Sequence, residues 1–322
     1  MKNRMISYKL VIPIVLKDIH LLLNNKHLIE QNLGVKQFVI IGSDDIKDYI
    51  ENIKNIKFID ENQLFNGLDI QKIKKILIEK TKSDQRAGWY FQQFLKMAYS
   101  FICEDEYYLV WDSDTLPLKK IEFFSKNNNP FFSYKSFEKN DLVYFNTINK
   151  IFNYNIKLNS ETKSYVVEHM LFKTEIMKEL IFNIENNAEL EGNSFFEKIL
   201  NSISKKHINL SGFSEFETYV AFTRKNYPDL YEFRHWNNLR CGKVFVGSNP
   251  NKKVLDWISK EFITISIERY DKEWKIFRFD FLKRINFKYI YMFSSPIIIV
   301  KHNIRMFLRK YFKNFILKLK NI

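Results

Sequence analysis

The chain has 322 residues, 46% of them hydrophobic and 16% aromatic, enough to bury one large core or two smaller ones. Its formal charge is +14, but residues 271–322 hold 13 Lys or Arg against 3 Asp or Glu, a local +10 that leaves +4 for the first 270 residues. A near-neutral body with a basic, aromatic tail excludes a uniformly basic nucleic-acid binder and suits an enzyme that touches an anionic surface. Two cysteines, Cys103 and Cys241, give no disulfide framework and no metal-finger spacing, as in a reducing compartment. Met1 to Ile6 lack a signal peptide's apolar core. No apolar run reaches the roughly 18 residues that span a bilayer. These features predict a cytoplasmic protein.

Residues 8–16 read as a first buried strand, and 18–33 carry helical apolar spacing (Leu21, Leu22, Leu28, Ile29) stopped by Gly34. Gln37 to Ile41 is a second strand and Lys57 to Asp60 a short third. Residues 69–80 form an amphipathic helix on Ile70, Ile73, Ile76 and Leu77. Strands alternating with helices imply a mainly parallel sheet with helices on both faces.

Trp89 to Ile102 reads as a helix. Trp89, Gln92, Gln93 and Lys96 share one face of it, which is either exposed or a set of donors over a nucleotide and its phosphates. Tyr107 to Trp111 is an aromatic, apolar run of the kind that makes a buried parallel strand. It leads into Asp112-Ser113-Asp114, and Pro117 stops the strand. Ligands bind beyond the carboxyl ends of strands in open α/β sheets. Alternate residues of an extended segment point the same way, so Asp112 and Asp114 can face one ion. Two hard oxygen ligands suit Mg²⁺ or Mn²⁺ completed by phosphate oxygens and water.

Phe131 to Tyr134 and Leu142 to Phe145 are further strand candidates, with a polar loop over 146–163. Ser164 to Phe172 is apolar apart from Glu168 and His169; a helix over Thr174 to Asn183 follows, with Thr174 as its cap. After Gly212, Glu215 and Glu217 sit two apart amid aromatics. They are either first-turn carboxylates favoured by a helix dipole, or one of them is a general base or acceptor-binding group.

The ordered set Arg86-x-Gly88-Trp89-Tyr90-x-Gln92-Gln93-x-Leu95-Lys96, Asp112-x-Asp114-Thr115, His169-Met170-Leu171-Phe172 and Gly212-Phe213-Ser214-Glu215-x-Glu217-x-Tyr219 resembles a bacterial family. That family is assigned to GT-A glycosyltransferases, mostly carries an unknown-function label, and occurs around capsule and lipopolysaccharide biosynthesis. The resemblance covers residues 7–240 and leaves out the tail. It implies a GT-A-like, Rossmann-like mixed sheet flanked by helices over 1–250; the charge and helical spacing of the chain itself make 251–322 a helical, basic appendage. It also implies a nucleotide-diphosphate-sugar donor with Asp112 and Asp114 around Mn²⁺ or Mg²⁺; a UDP-sugar is the expected donor, though the resemblance itself does not name the sugar. Arg86, Trp89, Gln92, Gln93 and Lys96 are the candidate donor-binding residues. His169 and His235 are both candidates for a further metal ligand. If transfer inverts the sugar, Glu215 or Glu217 is the candidate base; if it retains, no strong base is required. The acceptor is a glycan or a lipid-linked one.

Two other readings are weaker. A haloacid-dehalogenase-like phosphatase would use Asp112 as nucleophile, but Thr115 comes one place early and over a hundred residues precede the motif. A non-enzymatic RNA or membrane adaptor would spread its charge over the body. In the tail, Ile304, Phe307, Leu308, Tyr311, Phe315 and Leu319 fall along one side of a basic helix over 301–320. That pattern predicts peripheral attachment to the anionic inner face of the cell membrane.

Overall fold

The computed structural model describes residues 7–137, 141–159, 161–247, 250–268, 271–274 and 285–297. Its strands in chain order are β1 (Tyr8–Pro13), β2 (Phe38–Gly42), β3 (Ile56–Asp60), β4 (Tyr107–Trp111), β5 (Thr115–Pro117) and β6 (Phe131–Ser136). They continue with β7 (Lys163–Ser164), β8 (His169–Lys173), β9 (Glu232–His235), β10 (Asn238–Leu239) and β11 (Thr264–Ser266). The main sheet runs β3-β2-β1-β4-β8. Its first four strands are parallel, and β8 runs antiparallel to β4 with Trp111 opposite His169. This is the mixed, mainly parallel sheet flanked by helices that the strand–helix alternation predicts.

Both faces of that sheet are covered, which is why β2 and β4 are apolar at every position rather than alternating. Val11, Val39, Tyr108, Val110 and Phe172 face a core shared with the helices Ile70–Thr81, Ala87–Ala98, Thr174–Glu185, Phe195–Ser202 and Glu215–Asn226. Leu10, Ile12, Ile40, Leu109 and Trp111 face a second core under the helix Ile19–Leu33. Burying each such side chain stabilises the fold by about 1.5–3 kcal/mol. The helix Ile19–Leu33 stops at Gly34, whose φ of 64° is left-handed and open to glycine at no steric cost.

Two small sheets extend the frame: β10-β11-β5, and β7-β6-β9. The chain beyond residue 250 helps build the first of them. The helix Lys252–Ile258 and β11 pack Trp257, Ile258 and Ile265 with Phe287 into a third core. Residues 287–297 are helical. The predicted amphipathic helix over 301–320 lies outside the described residues.

Three local expectations are corrected. Leu142–Phe152 is a helix, not a strand, so the loop starts at Asn153. A four-residue apolar run does not separate the two states; Tyr144, Ile148 and Ile151 recur at helical spacing and are buried. Thr174 opens its helix without capping it, because its hydroxyl donates to the Asp105 carbonyl at 2.6 Å. The helix expected over Trp89 to Ile102 runs Ala87–Ala98 and then tightens into a 3₁₀ turn.

Candidate active site

β4 ends at Trp111, before the carboxylates. Asp112-Ser113-Asp114 is a tight turn, not an extended segment, with the Thr115 N–H donating to the Asp112 carbonyl at 3.0 Å. The Trp111 indole closes the turn by donating to the Thr115 carbonyl at 2.7 Å. Pro117 therefore ends β5, a separate short strand that pairs with β11. Two flanking segments clamp the turn. The Asp112 N–H donates to the Glu168 carbonyl at 3.0 Å, and the Ile267 N–H donates to the Asp114 carbonyl at 2.8 Å. The aspartates become neighbours through the turn instead of through strand alternation.

The electrostatics mark this corner out. Burial, then the charges of Asp112 and Glu268, push the Asp114 carboxyl up to about 7. Burial also pushes Glu168 up to about 7, against the pull of Arg240. Glu168 is 7% exposed and has a left-handed φ of 65°, a strained conformation for a residue with a Cβ. Among the described residues its buried Oε2 has no hydrogen-bond partner, while Oε1 lies 3.8 Å from Arg240 Nε. Glu268 accepts from the Arg240 guanidinium and from the Cys241 N–H at 3.2 Å. Cys241, Glu268 and Asp271 bring ligand atoms within 4.8 Å of one another.

A buried carboxylate oxygen left without a donor is expensive, and carboxylates crowded together repel. A hard divalent cation relieves both. The oxygen donors of Asp112, Asp114, Glu168 and Glu268 fit Mg²⁺ or Mn²⁺ in type.

Lys96 takes an unexpected place. The face that looked solvent-exposed or ligand-facing is largely inside: Gln93 and Lys96 are buried. Lys96 Nζ lies 2.7 Å from Asp112 Oδ1 and 2.9 Å from Glu215 Oε1. Those two carboxylates outweigh burial and hold the ammonium firmly charged. Burial raises Glu215, with Lys96 opposing it. Gln93 accepts from the Glu215 N–H at 3.1 Å and so fixes the start of the helix Glu215–Asn226. Gln92 donates to the Pro13 carbonyl at 3.2 Å, at the carboxyl end of β1. Arg86 stacks on Trp89, 5.1 Å from its ring centre. Arg86, Trp89 and Gln92 remain partly exposed.

The two histidines separate. His169 is buried, with Nδ1 donating to the Val167 carbonyl at 2.9 Å and Nε2 3.3 Å from Ser133 Oγ. Burial, reinforced by Arg234, drops it to about 3 and keeps it neutral among Trp111, Phe123 and Trp236. Both ring nitrogens are occupied, as in a core histidine. His235 lies exposed on β9, edge-on to Tyr134. Glu217 accepts from the Tyr165 N–H at 2.7 Å and from Ser164 Oγ at 3.1 Å; burial pushes it up to about 8. It also lines a cavity of about 680 Å³.

Glu168 and Glu268 escaped the sequence reading as site residues. Glu168 stood in view only as His169's acidic neighbour. Glu268 carried a legible signal: Thr264-Ile265-Ser266-Ile267-Glu268 alternates like a strand and ends in a carboxylate.

A mixed α/β sheet with a carboxylate-rimmed turn at its carboxyl edge defines the class of this protein. Residues 13–243 match a model described as a family of unknown function (DUF6492), and the chain belongs to that family. No curated protein matches the sequence. Among solved structures, the chain is similar to the bifunctional glycosyltransferase WbbM in its apo form at 12% identity, covering 84% of this chain and 47% of that one, with a TM-score of 0.42. It is also similar to the galactosyltransferase LgtC in complex with donor and acceptor sugar analogues, at 10% identity over 85% and 95% of the two chains and a TM-score of 0.39. The apo glycosyltransferase GlyE of Streptococcus pneumoniae TIGR4 is 12% identical over 88% and 60%, with a TM-score of 0.36. Overlaps this loose fix neither chemistry nor residue roles.

Proposed function

We propose that this protein is a metal-dependent glycosyltransferase that moves a sugar from a nucleotide-diphosphate sugar to a glycan or lipid-linked acceptor in bacterial surface-polysaccharide synthesis. One observation carries the reading: beyond the carboxyl end of β4 the charges of Asp112, Glu168 and Glu268 all bear on the buried Asp114, and a buried oxygen of Glu168 has no hydrogen-bond partner among the described residues. The motif order described above points the same way. Asp112 and Asp114 would hold Mn²⁺ or Mg²⁺, with Glu168 and Glu268 as the further carboxylates. When bound, the cation neutralises charge developing on the leaving diphosphate.

The chain's own residues set the stage for that chemistry. Lys96 fixes the Asp112 carboxylate and ties it to Glu215, so Glu215 acts through position. Arg86, Trp89 and Gln92 face the donor at the rim of β1, on the side of β4 where the parallel strands end. Glu217 is the acceptor-side carboxylate beside its cavity. The acceptor approaches from the β6–β9 side.

Attachment at the membrane's inner face belongs to the same proposal. No described helix is long and apolar enough to cross a bilayer. The helix at 287–297 leaves Tyr289, Met292, Phe293 and Ile297 exposed. Residues 298–322 add seven Lys or Arg and no acid. An apolar face beside a cationic segment suits an anionic lipid surface. The transferase reading is tested by screening nucleotide sugars for metal-dependent release of the nucleoside diphosphate. Release from none of them, with or without added glycans, would sink it.

A further inference from the structure

We propose that the acceptor is acidic: a glycan bearing a carboxylate or phosphate, held in the cleft between β6, β9 and the loop that follows Asn153. Naming the occupant an acceptor rests on the transferase reading above; the preference for an anion rests on the cleft alone.

The cleft has a volume of about 1050 Å³. Among the described residues, Lys135, Lys157, Lys163 and Arg224 line it, against one acid, Glu161, a formal balance of +3. The first 270 residues together carry only +4, so most of the body's excess positive charge is gathered at one cavity. The basic tail does not account for that concentration.

The cations are presented on aromatic rings. Lys163 Nζ sits 3.9 Å from the Tyr134 ring centre, and the Arg224 guanidinium 5.4 Å from that of Phe233. Among the described residues neither Lys163 nor Arg224 has a carboxylate within salt-bridge distance, and both are exposed. Phe233 is 42% exposed, a large apolar surface left open beside a cation. Flat rings stack on sugar faces, and Lys or Arg beside them recognise an anionic substituent. A site built for a neutral sugar would instead need acids and amides to pair its hydroxyls. Here Glu161 and Asn159 are the whole of that set among the described residues.

Position links the cleft to the carboxylate corner. Lys135 lies opposite Ser164 in the β6–β7 pair, and the Ser164 hydroxyl donates to Glu217 at 3.1 Å. Tyr165, on the cleft wall, precedes Glu168 by three residues. The parallel strands β1 to β3 end on the other side of β4, so the donor diphosphate and this cleft occupy opposite flanks of the turn.

The test is titration of the full chain with lactose, sialyllactose, glucose and a glucose phosphate, read by calorimetry. We expect a charged probe to bind at least tenfold tighter than its neutral counterpart, and less tightly in high salt. Whether the carboxylate or the phosphate arm responds names the source. Losing one charge-assisted contact should cost about ten- to a hundredfold in affinity. Arg224→Gln and Lys163→Gln should each do so without changing the affinity for UDP in the presence of Mn²⁺. Neutral and charged probes binding alike, none binding, or both variants binding like the parent overturns the proposal. If no nucleotide binds while the acidic probe does, the transferase reading fails and the cleft's preference stands.

Discussion

Replacing Lys96 with methionine removes the cation shared by the buried Glu215 and the partly exposed Asp112. The ammonium lies 2.7 Å from Asp112 and 2.9 Å from Glu215, and it is 3% exposed. At an effective dielectric of about 20, each contact is worth about 6 kcal/mol of Coulomb attraction before desolvation is counted. Net of desolvation, breaking a buried pair from one side typically costs about 3–5 kcal/mol, because the orphaned charge stays buried. Here Glu215 is the buried orphan, while Asp112, 29% exposed, keeps access to water. Native stability is about 5–15 kcal/mol in total, so a loss of about 3–5 kcal/mol should lower Tm by about 4–7 °C in a chain of 322 residues. Differential scanning calorimetry reads the shift. The double variant Lys96→Met, Glu215→Leu should recover part of it, since an apolar replacement removes one orphan. Mn²⁺ affinity should fall in both variants. A Tm within about 2 °C of the parent, with only the donor KM raised, would mean that Lys96 is a phosphate contact and the buried ion-pair argument is wrong.

Three further outcomes follow. Glu217 has a folded-state value of about 8 against an ordinary 4.5, so the folded protein holds the extra proton between those values; its contribution to stability is full below about 4.5 and is lost as pH rises through about 8. Glu217→Gln should therefore gain Tm relative to the parent from pH 5 to pH 8, and a difference flat with pH would contradict a neutral Glu217. If Glu217 is also the acceptor's base, the same variant should transfer about 10²–10⁴-fold more slowly with donor affinity unchanged. Glu168→Gly removes both a carboxylate and a left-handed Cβ, so it should melt no lower than the parent yet bind Mn²⁺ more weakly by calorimetry. Unchanged Mn²⁺ affinity would take Glu168 out of the site. Phe293 is 80% exposed, so Phe293→Asp should leave Tm alone and reduce sedimentation with anionic vesicles at low salt. Equal pelleting would show that this helix face does not meet the membrane.

How far the sequence could be read depended on the range of the interactions. β1, β2 and β4 were legible because burial on both faces makes their apolar runs continuous. Gly34 marked a helix end because its left-handed φ is a local demand. Leu142–Phe152 was misread because four apolar residues satisfy either period, and the buried Ile148 and Ile151 lie beyond the run. The candidate site divides the same way. Asp112 and Asp114 announced themselves by following a buried strand. Their geometry did not, since the turn is closed by the Trp111 indole and clamped from β8 and β11. Lys96 was visible as a polar residue on a helix, but its partners lie 16 and 119 residues away. Glu168's unpartnered oxygen exists only once β8 is laid beside β4.

The central claim is that Asp112 and Asp114 hold a divalent cation for a nucleotide-diphosphate sugar. The most direct measurement is nucleoside-diphosphate release from a panel of sugar nucleotides, in Mn²⁺ and in EDTA, by the parent and by Asp112→Asn and Asp114→Asn. Release by the parent in Mn²⁺ alone, lost in both folded variants, is the expected result. Undiminished release in EDTA, or by both variants, would contradict the account.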